Sequence, residues 1–334
     1  MAIPTRTLGR NGPKVPGIGL GLMSFAGWYG QKDTSLDSAL KFLDRAHEIG
    51  ETFWDTADIY GGSEENIGNW FVRTGKRSDI FLATKFGFDR KEDGSGTIRG
   101  DREYIKMACT RSLQKLQTDT IDLYYSHRPD ESVPIEETIK AMVELKEEGK
   151  IRHLGLSECS AERIRAAHAV HPIAAYQVEY SPLFMDIESP KFKVLETCRD
   201  LGIAIIPYSP VGRGLLAGKL TSFDDLPEND WRRNVPKLSR ENFPKIIALA
   251  DNIKSIAAKH NATPAQICLA WVAAQGDDFI SIPGTSTIKY LEENVAAINI
   301  KLTDEEMKAI RKYAEETELA GDRYPGGFFK RFDN

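Results

Sequence analysis

Cysteine is scarce: four residues in 334, and Cys109, Cys159, Cys198 and Cys268 lie tens of positions apart with no Cys-x-x-Cys. That spacing excludes a disulfide framework or a zinc ribbon and fits reduced thiols in the cytoplasm. Long apolar runs are missing too, none approaching the roughly 20 residues that cross a bilayer. Met1 to Lys14 has neither the apolar core of a secretion signal nor the Arg- and Ser-rich character of a transit peptide. No one sign of charge dominates. With 44 Lys+Arg against 49 Asp+Glu and a net charge of −5, neither nucleic acid nor an anionic membrane is an expected partner. Low-complexity segments are absent. What remains is a chain with 41% hydrophobic residues, enough for a sizeable core. A single domain over residues 1–334 is expected, in a cytoplasmic protein of unspecified oligomeric state.

Short runs of β character alternate with longer segments of helical period. The runs are Gly17–Leu22, Phe53–Asp58, Ile80–Lys85, Ile121–His127, Ile151–Ser157, Ala174–Tyr180, Ile203–Pro210 and Phe279–Gly284. Helical segments precede all but the first, among them Ser35–Ile49, Ser63–Val72, Asp101–Leu116, Pro134–Glu148, Ala161–Val170 and Pro264–Ala274. Gly50, Gly149 and Gly202 stand where helices end, and Pro134 where one begins. Parallel strands covered on both faces read as short, mostly apolar, β-branched runs like these. Eight β/α units without a break in composition predict an α/β fold, a (β/α)8 barrel. Thr5–Val15, with Asn11-Gly12 inside it, predicts an N-terminal β-hairpin capping the barrel's bottom. Three polar stretches, Gly87–Gly100, Thr221–Phe243 and Leu319–Asn334, predict long loops at the C-terminal face.

Barrels of this kind place their chemistry at the C-terminal ends of the strands. Asp55 and Tyr60, Lys85, and His127 fall there on three successive strands. A phenol with an ordinary pKa near 10 is a poor acid at neutral pH, and a neighbouring cation is expected to lower it. A buried lysine needs a partner carboxylate, which Asp55 supplies. Neutral His127 is placed to orient a carbonyl oxygen. A proton donor and a polarising contact are what a carbonyl oxygen needs when hydride arrives at its carbon.

WDTADIYGGSEENIG (Trp54–Gly68), LATKFG (Leu82–Gly87), LYYSHRPD (Leu123–Asp130), IRHLGLSE (Ile151–Glu158), YQVEYSPL (Tyr176–Leu183), IPYSPVGRGLLAGK (Ile206–Lys219) and IPGTSTIKYLEENVAA (Ile282–Ala297) resemble the aldo-keto reductase superfamily. The similarity spans about Thr7 to Tyr313, with the motifs in the family's order, and is greatest to the microbial and fungal, pyridoxal-reductase-like branch. The resemblance implies a metal-free reductase of aldehydes or ketones using NADPH, with NADH also open. Tyr60 would be the general acid, Lys85 its partner, Asp55 the partner of Lys85, and His127 the carbonyl-orienting group. Ser157, Glu158 and Gln177 would meet the nicotinamide carboxamide and Tyr208 the ring face. Ser209, Pro210, Gly212 and Gly214 would line the pyrophosphate, with Lys219 and Gly284 also assigned to the cofactor. Thr285, Ser286 and Lys289 would share the 2′-phosphate, and Glu293 and Asn294 the adenine. Two positions depart from the family pattern. Glu158 stands where many relatives carry Asn, and Ser286-Thr287 where relatives often carry Arg or Lys. Losing an Arg fork weakens phosphate recognition.

Other motifs read as packing or surface. Gly17-Ile-Gly-Leu-Gly lacks the spacing of a dinucleotide fingerprint, and GRGLLAGK (Gly212–Lys219) lacks that of a P-loop. His168 and His171 pair at a helix end without a third metal ligand, and Lys146–Lys150 reads as a solvated helix face. Trp28, Tyr29, Phe86 and Trp231, with Phe88, Tyr324, Phe328 and Phe329, suggest an apolar pocket for an aromatic or aliphatic carbonyl. Two alternatives stand beside the reductase. One is a nicotinamide-binding regulatory or sensor subunit with little turnover. The other is a barrel hydrolase or lyase using Asp55 with Glu64 or Glu179.

Overall fold

A computed structural model of the chain describes residues 3–26, 35–90 and 96–325. Trp28, Tyr29, Phe328 and Phe329 lie outside them. The hairpin β1 (Thr5–Thr7) and β2 (Lys14–Pro16) pairs antiparallel with Arg6 opposite Val15. Its turn is longer than a two-residue Asn-Gly link. Leu8 N–H bonds Pro13 O at 2.9 Å, and both Gly9 and Asn11 take positive φ. Leu8 and Val15 plug the apolar barrel interior from below, as a bottom cap must.

Then follow β3 (Leu20–Gly21), α1 (Leu36–Glu48), β4 (Phe53–Asp55), α2 (Ser63–Thr74), β5 (Phe81–Phe86) and an antiparallel ribbon, β6 (Phe88–Arg90) with β7 (Gly96–Ile98). Next come α3 (Arg102–Leu116), β8 (Ile121–Ser126), α4 (Ile135–Glu147), β9 (Ile151–Ser157), α5 (Ala161–Val170), β10 (Ala175–Glu179), α6 (Val194–Leu201) and β11 (Ala204–Tyr208). The last helices are α7 (Phe243–Lys259), α8 (Pro264–Ala273), α9 (Ile288–Ala296) and α10 (Asp304–Glu316). Seven parallel strands run in the order β11-β10-β9-β8-β5-β4-β3. Residues 279–284 close the barrel through isolated parallel bridges, Phe279 to Ile205 on one side and Ser281 to Ile18 and Gly284 to Gly21 on the other. The fold is a (β/α)8 barrel with its hairpin below and its long loops above.

Helix ends follow their sequences. Asp101 caps α3 by accepting from Tyr104 N–H, and Thr263 and Gln266 form a reciprocal capping box at α8, where Pro264 opens the helix. Gly50 ends α1 at φ +83°, a conformation that costs a Cβ-bearing residue free energy.

Strand alternation sorts the side chains. Phe53, Ala83, Leu123, Tyr125, Ala204 and Ile206 fill the interior, while Trp54, Leu82, Tyr124 and Leu154 pack outward under the helices. Gly155 makes room for an interior ring: a Cβ there would lie 2.4 Å from Tyr125 Cδ1. Toward the strand C-termini this interior turns polar, and that end holds the site.

Candidate active site

β4, β5 and β8 deliver Asp55, Lys85 and His127 to the same end of the barrel, and a turn after β4 brings Tyr60 over them. Tyr60 N–H bonds Ala57 O at 3.0 Å, and Gly61 continues the turn at φ +50°. Lys85, Asp55, His127 and Tyr60 are 0, 2, 7 and 9% exposed. Lys85 Nζ donates to Asp55 Oδ1 at 2.5 Å and to Thr56 O at 2.7 Å, and lies 5.0 Å from the Tyr60 ring centroid. The Tyr60 and His127 rings meet edge to face, 5.9 Å between centroids.

Burial is the leading influence on every titration here. It raises Asp55 and lowers Lys85, and the mutual attraction of the pair opposes both shifts. Burial, with Lys85 and Arg128 adding positive potential, holds His127 well below the ordinary imidazole range. The ring is therefore neutral at pH 7, as the sequence suggested. Tyr60 departs from expectation: its phenol is shifted upward, not down. Burial and the Asp55 charge raise it, and the main opposing cation is Arg128. The Asp55 charge opposes the field Lys85 was expected to exert.

Of the cofactor-assigned residues, Gln177 joins this group directly and Ser157 meets it through Arg128. Ser157 Oγ accepts from Arg128 Nη1 at 3.3 Å, and Gln177 Nε2 donates to Asp55 Oδ2 at 2.8 Å. Glu158 is committed within the protein. Arg323 grips its carboxylate at 2.6 and 3.1 Å, Tyr208 OH donates to it at 2.8 Å, and Glu179 N–H at 3.0 Å. Burial works against the Glu158 charge, but Arg323 wins and brings its pKa down to about 2. Tyr208 OH also meets Tyr324 OH at 2.7 Å. Beyond β11 the backbone takes positive φ at Ser209, Gly212, Arg213 and Gly214, with Pro210 buried among them. Lys219 hydrogen-bonds Tyr290 OH and sits 4.1 Å over its ring, joining the glycine-rich loop to α9. Gly284, Thr285 and Ser286 lead into α9, whose N-cap Thr287 makes no side-chain capping bond. On α9, Lys289 Nζ lies 3.9 Å from Glu293, with Asn294 one position further along the helix.

One sequence assignment needs correction. Phe86 does not line the site. Alternation along β5 turns it outward, fully buried, its ring 5.0 Å from Tyr124. Phe88, two residues on, meets the His127 ring edge to face at 4.9 Å and forms the aromatic wall instead. Trp231 packs against the Arg213 guanidinium, 5.0 Å over its ring. The acid–base pairs of a hydrolase or lyase are not assembled either. Glu64 bonds Thr84 on the outer face of β5, and Glu179 is held by Arg213 at 2.7 and 2.8 Å and by Arg323 at 3.2 Å.

Arg323 is the member sequence reasoning missed. It reaches Glu158 across 165 residues of chain, and no local pattern marks it. Among the described residues, no three His, Cys, Asp or Glu side chains gather as a metal would require. No helix among them is long and apolar enough to cross a membrane.

An eight-stranded parallel barrel with a buried Lys–Asp pair beneath a tyrosine and a neutral histidine belongs among the barrel oxidoreductases. The model of the aldo/keto reductase family matches residues 17–315, and the chain belongs to that family. It is 55% identical over 328 residues to aldo-keto reductase str7 of Strobilurus tenacellus, covering 97% of this chain and 95% of that protein. It is 47% identical over 330 residues to the NADP(+) aldo-keto reductase yakc of Schizosaccharomyces pombe, covering 98% and 96%. Among solved structures, the glycerol dehydrogenase of Gluconobacter oxydans superposes with a TM-score of 0.84 at 28% identity, over 99% of this chain and 100% of that one. The chain is thus a nicotinamide-dependent oxidoreductase acting on carbonyl groups.

Proposed function

We propose that this enzyme reduces an aldehyde or ketone to the alcohol with NADPH, and that Tyr60 gives the proton. The observation that carries the reading is the buried Asp55–Lys85 pair at 2.5 Å, set beneath the Tyr60 ring and beside neutral His127.

The residues present suit a nicotinamide dinucleotide. Left-handed backbone at Ser209, Gly212, Arg213 and Gly214 is of the kind that turns successive N–H groups toward an anion. The α9 N-terminus is free of acidic residues and of a side-chain cap, so its exposed N–H groups and dipole suit a phosphate. Thr285, Ser286 and Lys289 would share the 2′-phosphate there, with Glu293 and Asn294 toward the adenine. The NADP(+) in the name of the fission-yeast relative favours the same choice. Glu158 would act on the nicotinamide only through Tyr208, because Arg323 already holds its carboxylate.

When bound, the reduced cofactor supplies hydride to the carbonyl carbon. His127, neutral and facing Tyr60, orients the carbonyl oxygen. The Tyr60 hydroxyl, kept protonated by its raised pKa, hands its proton to the oxygen as negative charge develops there. Lys85 and Arg128 stabilise the phenolate left behind until it regains a proton from solvent. Phe88 beside His127 and Tyr324 beside Tyr208 would shield the carbonyl from water, which suits an apolar carbonyl compound. Four buried cysteines with no disulfide among the described residues fit a reducing compartment, and we assign the enzyme to the cytoplasm.

The test is the loss of reduced-nicotinamide absorbance with an activated aromatic aldehyde, comparing NADPH with NADH and wild type with Tyr60→Phe. The variant should lose roughly 10²–10⁴ in kcat, the usual span for a general acid. Quenching of tryptophan fluorescence by NADPH should be unchanged. Tight NADPH binding with no turnover on any carbonyl would overturn the reading in favour of a sensor subunit.

A further inference from the structure

The opposite end of the barrel holds a second concavity. It is a cleft of about 410 Å³ between the hairpin turn, β9, the end of α5 and the approaches to β10 and β11. Arg10, Lys146, His153, His168 and His171 face it, and among the described residues no carboxylate lines it. Lys146 has no acidic partner among the described residues, and its Nζ lies instead 3.1 Å from His171 Nε2. Nearby carboxylates are engaged elsewhere: Asp122 with Arg77 and Arg152, and Asp200 with Arg165.

Hydrogen bonding fixes the imidazoles. His171 Nδ1 lies 2.8 Å from Pro172 O and must donate to it, so Nε2 accepts from Lys146. His168 Nδ1 accepts from Ile173 N–H at 3.2 Å, which puts its proton on Nε2 and leaves a donor free. The ends of α4 and α5 favour cations here, but each helix C-terminus contributes only about half a negative charge. Two fixed cations exceed that. Accordingly all three rings titrate low. Burial acts first, followed by Lys146 for His153 and His171 and by Arg10 for His168. An ammonium against an imidazole nitrogen also makes a divalent metal an unsuitable guest.

We propose that this cleft binds a small oxyanion of two or more negative charges, a phosphorylated or polycarboxylate metabolite, at the end of the barrel remote from the carbonyl site. Lys146 and Arg10 supply fixed charge, and His168 Nε2–H a directional donor. The overall charge of −5 and the confinement of the cations to one cleft favour a small molecule over a nucleic acid or a membrane. The inference does not depend on the carbonyl substrate or on Tyr60.

Calorimetric titration of the full chain with pyrophosphate and with citrate tests it, at fixed ionic strength and with NADP⁺ saturating. One saturable site is expected, and histidine ring NMR signals should shift at His153, His168 and His171 while His127 stays still. The double variant Arg10→Ala/Lys146→Ala should weaken binding about tenfold or more, the scale of a charge-assisted contact, with carbonyl reduction unchanged. His168→Gln, which removes no fixed charge, provides a second check should the double variant fold poorly. Preference for pyrophosphate or for citrate identifies the phosphorylated or the polycarboxylate source. No saturation by either, an affinity unmoved by both variants, or shifts confined to His127 would overturn the proposal.

Discussion

Tyr60 combines two properties that a single pKa does not convey. Burial keeps its proton in place across neutral pH, so the acid form is populated before a carbonyl arrives. In the proposed reduction its strength as an acid would be needed only as the carbonyl oxygen gains charge, and the cations Lys85 and Arg128 would act at that stage. A second carboxylate near this group has a measurable cost. Asp58 is buried, its oxygens make no hydrogen bond among the described residues, and Arg111 approaches no nearer than 3.6 Å. Burial first and then the Glu64 charge push its pKa from 3.8 up to about 7. A carboxyl raised by folding binds more protons in the native state between those values. Stability therefore falls as pH rises from about 4 to about 7 and stays reduced above that. Asp58→Asn, which keeps the shape without the charge, should raise Tm relative to wild type at pH 8 and have little effect at about pH 3.5, below the ordinary carboxyl pKa. An equal Tm difference at the two values would refute a buried charge at Asp58.

At the scale of elements, the strands were legible because period-two burial and β-branched residues leave a strong pattern. Ile151–Ser157 was placed to the residue, and the strands at 80 and 121 to within one. The same pattern misled at Phe86, where one position of pleat separates the pocket from the helix layer. Asp55, Tyr60, Lys85 and His127, which the structure brings together, could be singled out because each stands at or just beyond a strand's end. The C-terminal closure could not be read. It depends on Arg323, 4% exposed, pairing with Glu158 and Glu179 across the mouth of β9 and β10, a tertiary event without local signature. Arg213 still holds Glu179 if Arg323 is removed, so the barrel should survive its loss. Arg323→Leu would leave Glu158 buried without its counterion, a loss of about 3–5 kcal/mol for pairs of this kind. Because the Glu158 pKa is depressed from 4.5 to about 2, this stabilisation is present above pH 4.5 and lost only as pH falls toward 2. In Arg323→Leu at pH 7, residues 319–325 should lose amide-exchange protection and become the first site of proteolysis. Unchanged protection there would show that the Arg323–Glu158 pair does not hold the segment.

The molecule as a whole is a closed ring of strands, and the question at that scale is whether it opens as one body. Its seam is residues 279–284, joined by isolated bridges rather than a full ladder. Yet the seam's own backbone bonds are of ordinary length: Ile205 N–H to Asp278 O at 2.7 Å, Gly19 N–H to Ser281 O at 2.8 Å and Ile282 N–H to Pro207 O at 3.0 Å. A barrel bonded on both sides of its seam has no edge strand to peel away, so opening should be global. The four cysteines report on this from four stations: Cys109 in α3, Cys159 just beyond β9, Cys198 in α6 and Cys268 in α8. All are buried, and burial raises the Cys109 thiol to about 12 and the thiols of Cys198 and Cys268 well above the ordinary range. None should react with a thiol reagent while folded, since the thiolate is the reactive form. Labelling followed by mass spectrometry should therefore convert unmodified chain directly to the four-fold adduct, all sites advancing at one rate set by unfolding. A separate, faster phase at Cys268, on the helix that leads into residues 279–284, would show that the seam opens by itself and that residues 1–334 are not one cooperative unit.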